Sequence, residues 1–313
     1  MTALVDDGAM AEVLAMAGLA GLPLVAGPAP LASPSYRALE SASVLVDAPG
    51  GPVFVKRIHP EMRAGFDLPA AMQLAIQAGE AGIGPRVVWA DAGLGAIAMD
   101  GLAAGWRSAT QYSLQDALPA AMAALKALHG TAPLAHRFDP FAQIDAQIAA
   151  LGPLDALPED AAWLRRLIGA LEFMLDDAPL APCRNDGSAS NLMLGPRDRV
   201  MLVDFDRAGM NDPLYDLGCL LAEATDFPQD MHGAFAAYWG CFDQAAFARA
   251  RLWSVIDDML HALWSRRLAL VSVRRGIEWL KYGEWRLMRL RLALNHPDFE
   301  QTVRLGRERI AAW

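Results

Sequence analysis

Two aspartates and an asparagine in the second half of the chain have the types and spacing that phosphoryl transfer requires. Asp186 precedes Asn191 by five residues in the segment C-R-N-D-G-S-A-S-N, and Asp204 ends the apolar run in L-V-D-F-D. A carboxylate can orient an attacking hydroxyl, and amide and carboxylate oxygens are ligands that Mg²⁺ prefers. We therefore predict Asp186 as the catalytic carboxylate and Asn191 with Asp204 as metal ligands.

The elements around these residues predict how they meet. Two short apolar runs at 191–194 and 200–205 flank the turn at 195–198, which is typical of a β-hairpin. The side chain of Asp204 can then meet Asn191 across the hairpin. The rest of the chain beyond Gly101 has helical periodicity. Amphipathic helices are predicted at 118–129, 141–151, 160–175 and 214–225, with further helices after 230.

The first 100 residues are richer in Gly, Pro and β-branched residues. The predicted elements are strands at 43–47, 52–58 and 86–91, a turn at 48–51 and a helix at 68–81. This order predicts a small mixed sheet with one helix packed on it. The fold class is therefore α+β, with residues 1–100 as a small N-lobe and 101–313 as a larger, mainly helical C-lobe.

The motif R-N-D-G-S-A-S-N followed by L-V-D-F-D-R-A-G-M-N-D-P-L-Y-D-L-G resembles the catalytic and metal-binding stretch of choline/ethanolamine kinases, within the aminoglycoside phosphotransferase superfamily. The resemblance implies a two-lobed protein-kinase-like fold, with ATP and Mg²⁺ as cofactors. It also implies that Asp186 is the catalytic base and that Asn191 and Asp204 bind the metal. Asp216 matches the residue that braces the catalytic loop, and Asp206 matches an acid on the substrate side.

The likeness extends to the nucleotide side and covers about residues 20–290. The strand V-F-V-K ends at Lys56, which matches the lysine that reaches the ATP phosphates. The segment 97–102 resembles the hinge whose backbone binds adenine, so Met99 and Gly101 are predicted nucleotide contacts.

Several positions depart from the family pattern. Arg184 stands where most members have a His, and its guanidinium could brace the loop by hydrogen bonding. The loop at 26–36 offers one glycine to the phosphates, with Ser33 and Ser35 as alternative donors. These departures keep open a second class, a degenerate kinase that binds a nucleotide or another ligand without turnover.

The helix acid that should pair with Lys56 also departs from the pattern. Asp67 is the nearest candidate by position, because Glu80 falls too late in the predicted helix. The shorter Asp side chain would make this pair long or bridged by water.

The acceptor must carry a hydroxyl, and aromatic residues in the C-terminal part bear on its identity. Quaternary ammonium groups bind over aromatic faces. Trp264, Trp279 and Tyr282 are predicted to line the acceptor pocket, although His261 replaces a tryptophan of the family. Choline or ethanolamine is the leading acceptor, and thiamine, an amino sugar or an aminoglycoside is the alternative. The acids that could bind an aminoglycoside are Asp257, Asp258, Glu278 and Glu284.

The composition of the chain limits the kinds of molecule that it is expected to bind. A formal net charge of −9 disfavours nucleic acid, and no apolar run approaches the roughly 18 residues of a membrane span. The N-terminal segment has two acids where a signal peptide would have basic residues. Three cysteines without metal-ligand spacing fit a reducing compartment. We therefore expect a cytoplasmic protein with a small, cationic or neutral partner, and we make no prediction of its oligomeric state.

Overall fold

A five-stranded sheet forms the N-terminal part of the computed structural model, which describes residues 7–32, 36–176, 179–308 and 310. The strands are β1 (Leu24–Ala26), β2 (Ser41–Ala48), β3 (Gly51–Ile58), β4 (Val87–Asp91) and β5 (Ala96–Asp100). They lie in the order β1-β2-β3-β5-β4, and every pairing is antiparallel. The α+β class is confirmed, but the predicted mixed sheet is wrong. Strand β4 does run parallel to β3, but β5 lies between them and pairs with both.

Alternation along β2 and β3 gives this sheet one buried face. Val44, Val46 and Val55 pack against helix α1 (Asp7–Met16), and the predicted hairpin turn at 48–51 is confirmed. The neighbours of Val55 in β3, Phe54 and Lys56, point to the opposite face because successive side chains alternate. The sheet therefore presents Lys56 to a cavity.

Two helices follow the first hairpin, α2 (Pro60–Arg63) and α3 (Leu68–Glu80). Asp67 caps α3, because its carboxylate accepts a hydrogen bond from the backbone N–H of Ala70 at 2.9 Å. The buried side of α3 is apolar and includes Leu74 and Ala78, which join the main hydrophobic core. The helix predicted at 68–81 is thus confirmed.

The rest of the chain is mainly helical. Its helices are α4 (Gln111–His129), α5 (Pro140–Leu151), α6 (Ala161–Gly169), α7 (Pro213–Ala224), α8 (Pro228–Trp239), α9 (Gln244–Val271), α10 (Trp279–Leu294) and α11 (Phe299–Gly306). The predicted helix at 160–175 is divided into α6 and a 3₁₀ turn at 172–175. Helix α9 is central and packs against α5, α7, α10 and α11. Among the described helices, none combines the length and apolar character needed to cross a bilayer.

Two small antiparallel sheets interrupt the helices and hold the polar motif. Their strands are β6 (Arg107–Ser108), β7 (Ala181–Cys183), β8 (Leu192–Leu194), β9 (Val200–Leu202) and β10 (Gly209–Asn211). Strands β8 and β9 form the predicted hairpin, and β7 pairs with β10. The segments that carry the predicted catalytic residues, 184–191 and 203–208, therefore each run between strands of these two sheets. The boundary predicted at residue 100 stays a prediction.

Candidate active site

Asp186 and Asn191 are in direct contact on the loop between β7 and β8. One oxygen of Asp186 accepts the backbone N–H of Ser188 at 2.8 Å, and the other accepts the side-chain amide of Asn191 at 2.5 Å. Both side chains are buried. The five-residue spacing places them together because the loop closes through a 3₁₀ turn at 189–191. The Asn191 amide oxygen remains the atom that could bind a metal.

Arg184 holds the backbone of this loop. Its Nη1 donates to the carbonyl oxygens of Asn191 at 2.9 Å and Val203 at 3.1 Å, while Nη2 donates to the carbonyl of Asp186 at 2.5 Å. The side chain is 1% exposed. The planar guanidinium thus connects the loop to the segment before Asp204. This is the bracing role predicted for Arg184 from its position in the motif.

Asp216 supports the start of the same loop. Its two carboxylate oxygens accept the backbone N–H groups of Arg184 at 2.8 Å and Asn185 at 2.7 Å. Asn185 has a φ of 55°, in the left-handed region that Asn tolerates better than most residues. The side chain of Asn185 donates to the carbonyl of Arg207 at 2.9 Å. The brace suggested for Asp216 is therefore present.

Lys56 is paired with both acids of the L-V-D-F-D motif. Its Nζ lies 2.7 Å from Asp204 and 2.8 Å from Asp206. Asp67 instead caps α3 and lies 3.5 Å from His136, so the predicted Lys56–Asp67 pair is wrong. The reason is that α3 turns an apolar side toward Lys56. The residues of α3 on that side are Leu68, Ala71, Met72 and Ala75.

This arrangement also moves Asp206 away from its predicted substrate role, because its carboxylate faces Lys56. Asp204 reaches the same ammonium from a residue with φ of 64°, another left-handed position occupied by a residue type that tolerates it. The two carboxylates and one lysine leave an excess negative charge at the end of β9.

Electrostatics differ between the members of this cluster. Burial raises the pKa of Asp206 to about 7, and the nearby Asp204 carboxylate adds to the shift. Burial opposes ionisation of Asp204, but the charge and hydrogen bond of Lys56 hold its pKa below the usual value. Burial also opposes the charge on Lys56, yet the two carboxylates raise its pKa above the ordinary value. Asp204 and Lys56 are therefore charged at neutral pH. The pKa of Asp206 is raised because its burial outweighs its pairing with Lys56.

A cavity of about 340 Å³ lies between the sheet and the catalytic loop. Lys56, Asn191 and Asp204 line one part of it. The remainder is mostly apolar, as suits a planar heterocycle. Its walls include Leu45, Phe54, Met99, Leu102, Met193 and Val203.

The two predicted hinge contacts differ in their placement. Met99 lines this cavity, as a nucleotide contact would. Gly101 instead donates its backbone N–H to the carbonyl of Pro52 at 2.7 Å. A Cβ at Gly101 would lie 2.9 Å from Leu45 and from Pro52, so glycine here permits close packing on the sheet. Gly101 is thus a packing residue, and its backbone amide is not available to a nucleotide.

A second, much smaller cavity lies on the other side of Asp186, toward α9 and α10. It holds about 10 Å³. Of the predicted aromatic residues, Tyr282 lines this space together with His261. Its polar walls include Asp186, Ser188, Glu223, Asp257, Arg286 and Arg289. The cavity borders Asp186, but it is small.

The other predicted substrate residues lie farther from Asp186 in the same aromatic cluster. Trp264 packs 5.5 Å from Trp279, and the Arg207 guanidinium lies over the Trp264 ring at 5.2 Å. Trp279 is buried behind Trp264, with Arg274 over its outer face. All three aromatic residues are buried in one hydrophobic cluster, and of the three only Tyr282 lines the small cavity beside Asp186.

Three buried residues of this region were not singled out from the sequence. Tyr36 donates its hydroxyl to Glu40, and Arg207 lies 3.4 Å from the same carboxylate. Arg207 directly follows the L-V-D-F-D motif, which is a signal that could have drawn attention to it. Tyr36 and Glu40 are about 150 residues earlier, and no local pattern links them to the motif.

Glu40→Gln should make the stability of the protein less sensitive to rising pH. Burial raises the pKa of Glu40 from an ordinary 4.5 to about 8, although Arg207 opposes the shift. Between these values the unfolded chain releases a proton that the folded protein keeps, so wild-type stability falls as the pH rises. Gln has no such proton.

We therefore expect the Tm of Glu40→Gln, relative to wild type, to be higher at about pH 9 than at about pH 5. Thermal unfolding followed by circular dichroism measures both. A Tm difference that is the same at the two pH values would contradict the assignment. Glu80→Gln is the control because Glu80 is exposed on α3.

Solved structures share the fold of the whole chain. A choline/ethanolamine kinase family protein from Mesorhizobium loti superposes with a TM-score of 0.80 at 24% identity, covering 97% of this chain and 99% of that one. The choline kinase LicA from Streptococcus pneumoniae gives 0.74 at 16% identity, over 91% of this chain and 97% of that one. At identities this low the superpositions establish the fold alone. They confirm the predicted protein-kinase-like α+β class.

Sequence comparison identifies the family. Protein LicA of Haemophilus influenzae is 28% identical over 121 residues, which cover 36% of this chain and a third (33%) of that protein. The fold places the chain in the class of protein-kinase-like α+β proteins. A sequence profile of the phosphotransferase enzyme family matches residues 36–253, more than half of the chain. The chain therefore belongs to the phosphotransferase enzyme family, and the resemblance read from its motifs is confirmed.

Proposed function

We propose that the protein transfers the terminal phosphoryl group of ATP to the hydroxyl of a small amino alcohol, choline or ethanolamine, with the help of Mg²⁺. The observation that carries this proposal is the contact between Asp186 and Asn191, with Asn191, Asp204 and Lys56 lining one cavity. In this arrangement Asp186 orients the acceptor hydroxyl and accepts its proton, while Lys56 lies where it can contact the phosphates.

The residues present fit a divalent cation. The Asn191 amide and the Asp204 carboxylate supply hard oxygen ligands on the cavity wall. Asp204 and Asp206 share a single lysine, so the two carboxylates carry more negative charge than Lys56 alone can balance. A bound Mg²⁺ would compensate that charge and draw electron density from the phosphates.

The nucleotide is inferred from the larger cavity. Its volume of about 340 Å³ and its apolar walls suit an adenine ring, and its polar end holds Lys56 and the proposed metal ligands. Met99 would contact the base. The predicted Ser33 and Ser35 lie outside the described residues, so their part in phosphate binding stays a prediction.

The chemical class of the acceptor is inferred from the residues around the small cavity beside Asp186. Tyr282 lines the cavity beside Asp186, and Trp264 lies in the same aromatic cluster, so their rings are the aromatic surfaces nearest to an ammonium group bound there. The carboxylates of Glu223 and Asp257 are also close, and both are paired with Arg286. The two solved relatives named above are a choline/ethanolamine kinase family protein and a choline kinase. An amino alcohol has both features that such a pocket recognises, a hydroxyl and a cation.

A substrate screen tests the function directly. Purified protein with ATP and Mg²⁺ would be offered choline, ethanolamine, thiamine, an amino sugar and an aminoglycoside, with ADP release followed by a coupled assay and the phosphorylated product by mass spectrometry. We expect the highest kcat/KM for choline or ethanolamine. Binding of ATP without transfer to any acceptor would instead support a binding module without turnover.

Asp204→Asn should remove most of the benefit that Mg²⁺ gives to ATP binding. The substitution keeps the shape of the side chain but removes the charge that the metal would meet, so the affinity for ATP with Mg²⁺ should fall by about tenfold or more. Calorimetric titration of ATP with Mg²⁺ and with a chelator measures the effect. Asp198→Asn, at an exposed position in the β8–β9 turn, is the matched control. An unchanged dependence on Mg²⁺ would exclude Asp204 as a ligand.

A further inference from the structure

Tyr36 connects the catalytic loop to the aromatic cluster. Its carbonyl oxygen accepts a hydrogen bond from the hydroxyl of Ser190, the residue before Asn191. Its ring lies 5.2 Å from Tyr282, 5.8 Å from Trp264 and 5.9 Å from His261. Tyr36 is 7% exposed, although it lies outside the strands and helices. The Tyr36 ring therefore fills the space between the aromatic residues of the proposed acceptor site.

Little space remains in this region for an acceptor. The rings of His261 and Trp264 lie 6.0 Å apart, and those of His261 and Tyr282 lie 6.4 Å apart. With the Tyr36 ring in direct contact with all three, the cluster is closed. The cavity of about 10 Å³ beside Asp186 has room for one water molecule at most. Choline and ethanolamine are both larger than water.

The Tyr36 side chain is held by a hydrogen bond from its hydroxyl group. Its hydroxyl donates to the buried Glu40, whose carboxylate also lies near Arg207. Because Arg207 lies over the Trp264 ring, the protein places a phenol ring and a guanidinium on the faces that an ammonium ligand would use. Both groups belong to the protein itself, so a ligand must compete with them.

We propose that Tyr36 occupies the acceptor's place in the free protein, and that an acceptor binds by displacing its side chain. This inference rests on the proposed function only in the identity of the acceptor. Tyr36 thereby sets the apparent acceptor affinity, because only molecules whose Tyr36 has left the pocket can bind. It is a specificity-determining residue of the N-terminal part, whereas the aromatic walls come from α9 and α10.

Calorimetric titration with choline and with ethanolamine tests the displacement. Tyr36→Ala should bind at least one of these probes about tenfold more tightly than wild type, because no ring has to leave. Tyr36→Phe keeps the ring but loses the bond to Glu40, so its affinity should rise by a smaller factor, about threefold. Tyr36→Phe also serves as the test if Tyr36→Ala does not fold. Tyr112→Ala, at a position that is 83% exposed on α4, should bind like wild type.

Each outcome decides the question. Affinities that rise in the order wild type, Tyr36→Phe, Tyr36→Ala support displacement. Equal affinities, or no binding of either probe to any variant, overturn it. Weaker binding by Tyr36→Ala also overturns it, because Tyr36 is then a wall that contacts the ligand. Phosphate transfer by the wild-type protein in the substrate screen judges the proposed function separately, since it does not depend on the ratio between variants.

Discussion

Replacing Asp186 with Asn is expected to lower kcat for phosphoryl transfer by about a thousandfold, while ATP affinity stays within about twofold of wild type. Asn cannot accept the proton of the acceptor hydroxyl. The new side chain has almost the same shape and can still accept the Ser188 N–H through its amide oxygen, which should keep the fold of the loop. Its NH2 group then faces Asn191, whose amide must rotate to accept this hydrogen bond. Asp186 does not line the nucleotide cavity, which is why ATP binding should persist.

Steady-state kinetics with the best acceptor from the screen, together with calorimetric titration of ATP, would measure both quantities. Asp116→Asn is the matched control, because Asp116 is exposed on α4. A variant with near-wild-type turnover would exclude Asp186 as the catalytic carboxylate. A loss of ATP affinity as large as the loss of kcat would mean that the substitution had disturbed the whole site.

Replacing Arg184 with Ala is expected to lower the free energy of unfolding by about 3–5 kcal/mol. The side chain supplies donors to the carbonyls of Asp186, Asn191 and Val203 in a buried position. Its removal takes the side-chain donor from the carbonyls of Asp186 and Val203, whereas the carbonyl of Asn191 still accepts the backbone N–H of Val203. It also opens a cavity the size of an arginine side chain. For a chain of this length the change corresponds to a fall in Tm of roughly 10 °C.

Chemical denaturation and thermal scans of Arg184→Ala, Arg184→Lys and wild type would measure this contribution. Lys should recover part of the loss, because one ammonium cannot reproduce the forked geometry of the guanidinium. Arg275→Ala, at an exposed position, is the control. A Tm of Arg184→Ala within about 2 °C of wild type would show that the loop does not depend on this side chain.

The contacts predicted from the sequence agree with the structure where the two residues are close together in the chain. Asp186 and Asn191 are five residues apart and meet through one turn of the same loop, so spacing was enough to predict their contact. The β8–β9 hairpin is equally local, and its turn residues predicted it. The brace from Asp216 was predictable because the resemblance to known kinases extends without a gap through that residue.

The errors concern contacts between distant segments. Asp67 was predicted as the partner of Lys56 because it lies at the start of the predicted helix and Glu80 falls too late in it, whereas the observed partners lie about 150 residues away. The mixed sheet was predicted from the order strand–strand–helix–strand. That order lacked β5, which separates β3 from β4 and includes most of the segment 97–102 that was assigned to a hinge. In both cases the sequence was compatible with more than one partner, for Lys56 and for β3. The packing of the chain decides which partner is in contact.

Residue types and local spacing were thus sufficient to predict the members of the candidate site: an acid and an amide on one loop, a second acid after a strand, and a lysine in another strand. Tertiary packing decided which carboxylates meet Lys56, that Gly101 packs against the sheet, and that Tyr36 fills the space beside the aromatic walls. The physical reason is that hydrogen bonds within a loop depend on a few neighbouring dihedral angles. Burial of Tyr36, Glu40 and Arg207 together depends on how the whole chain packs.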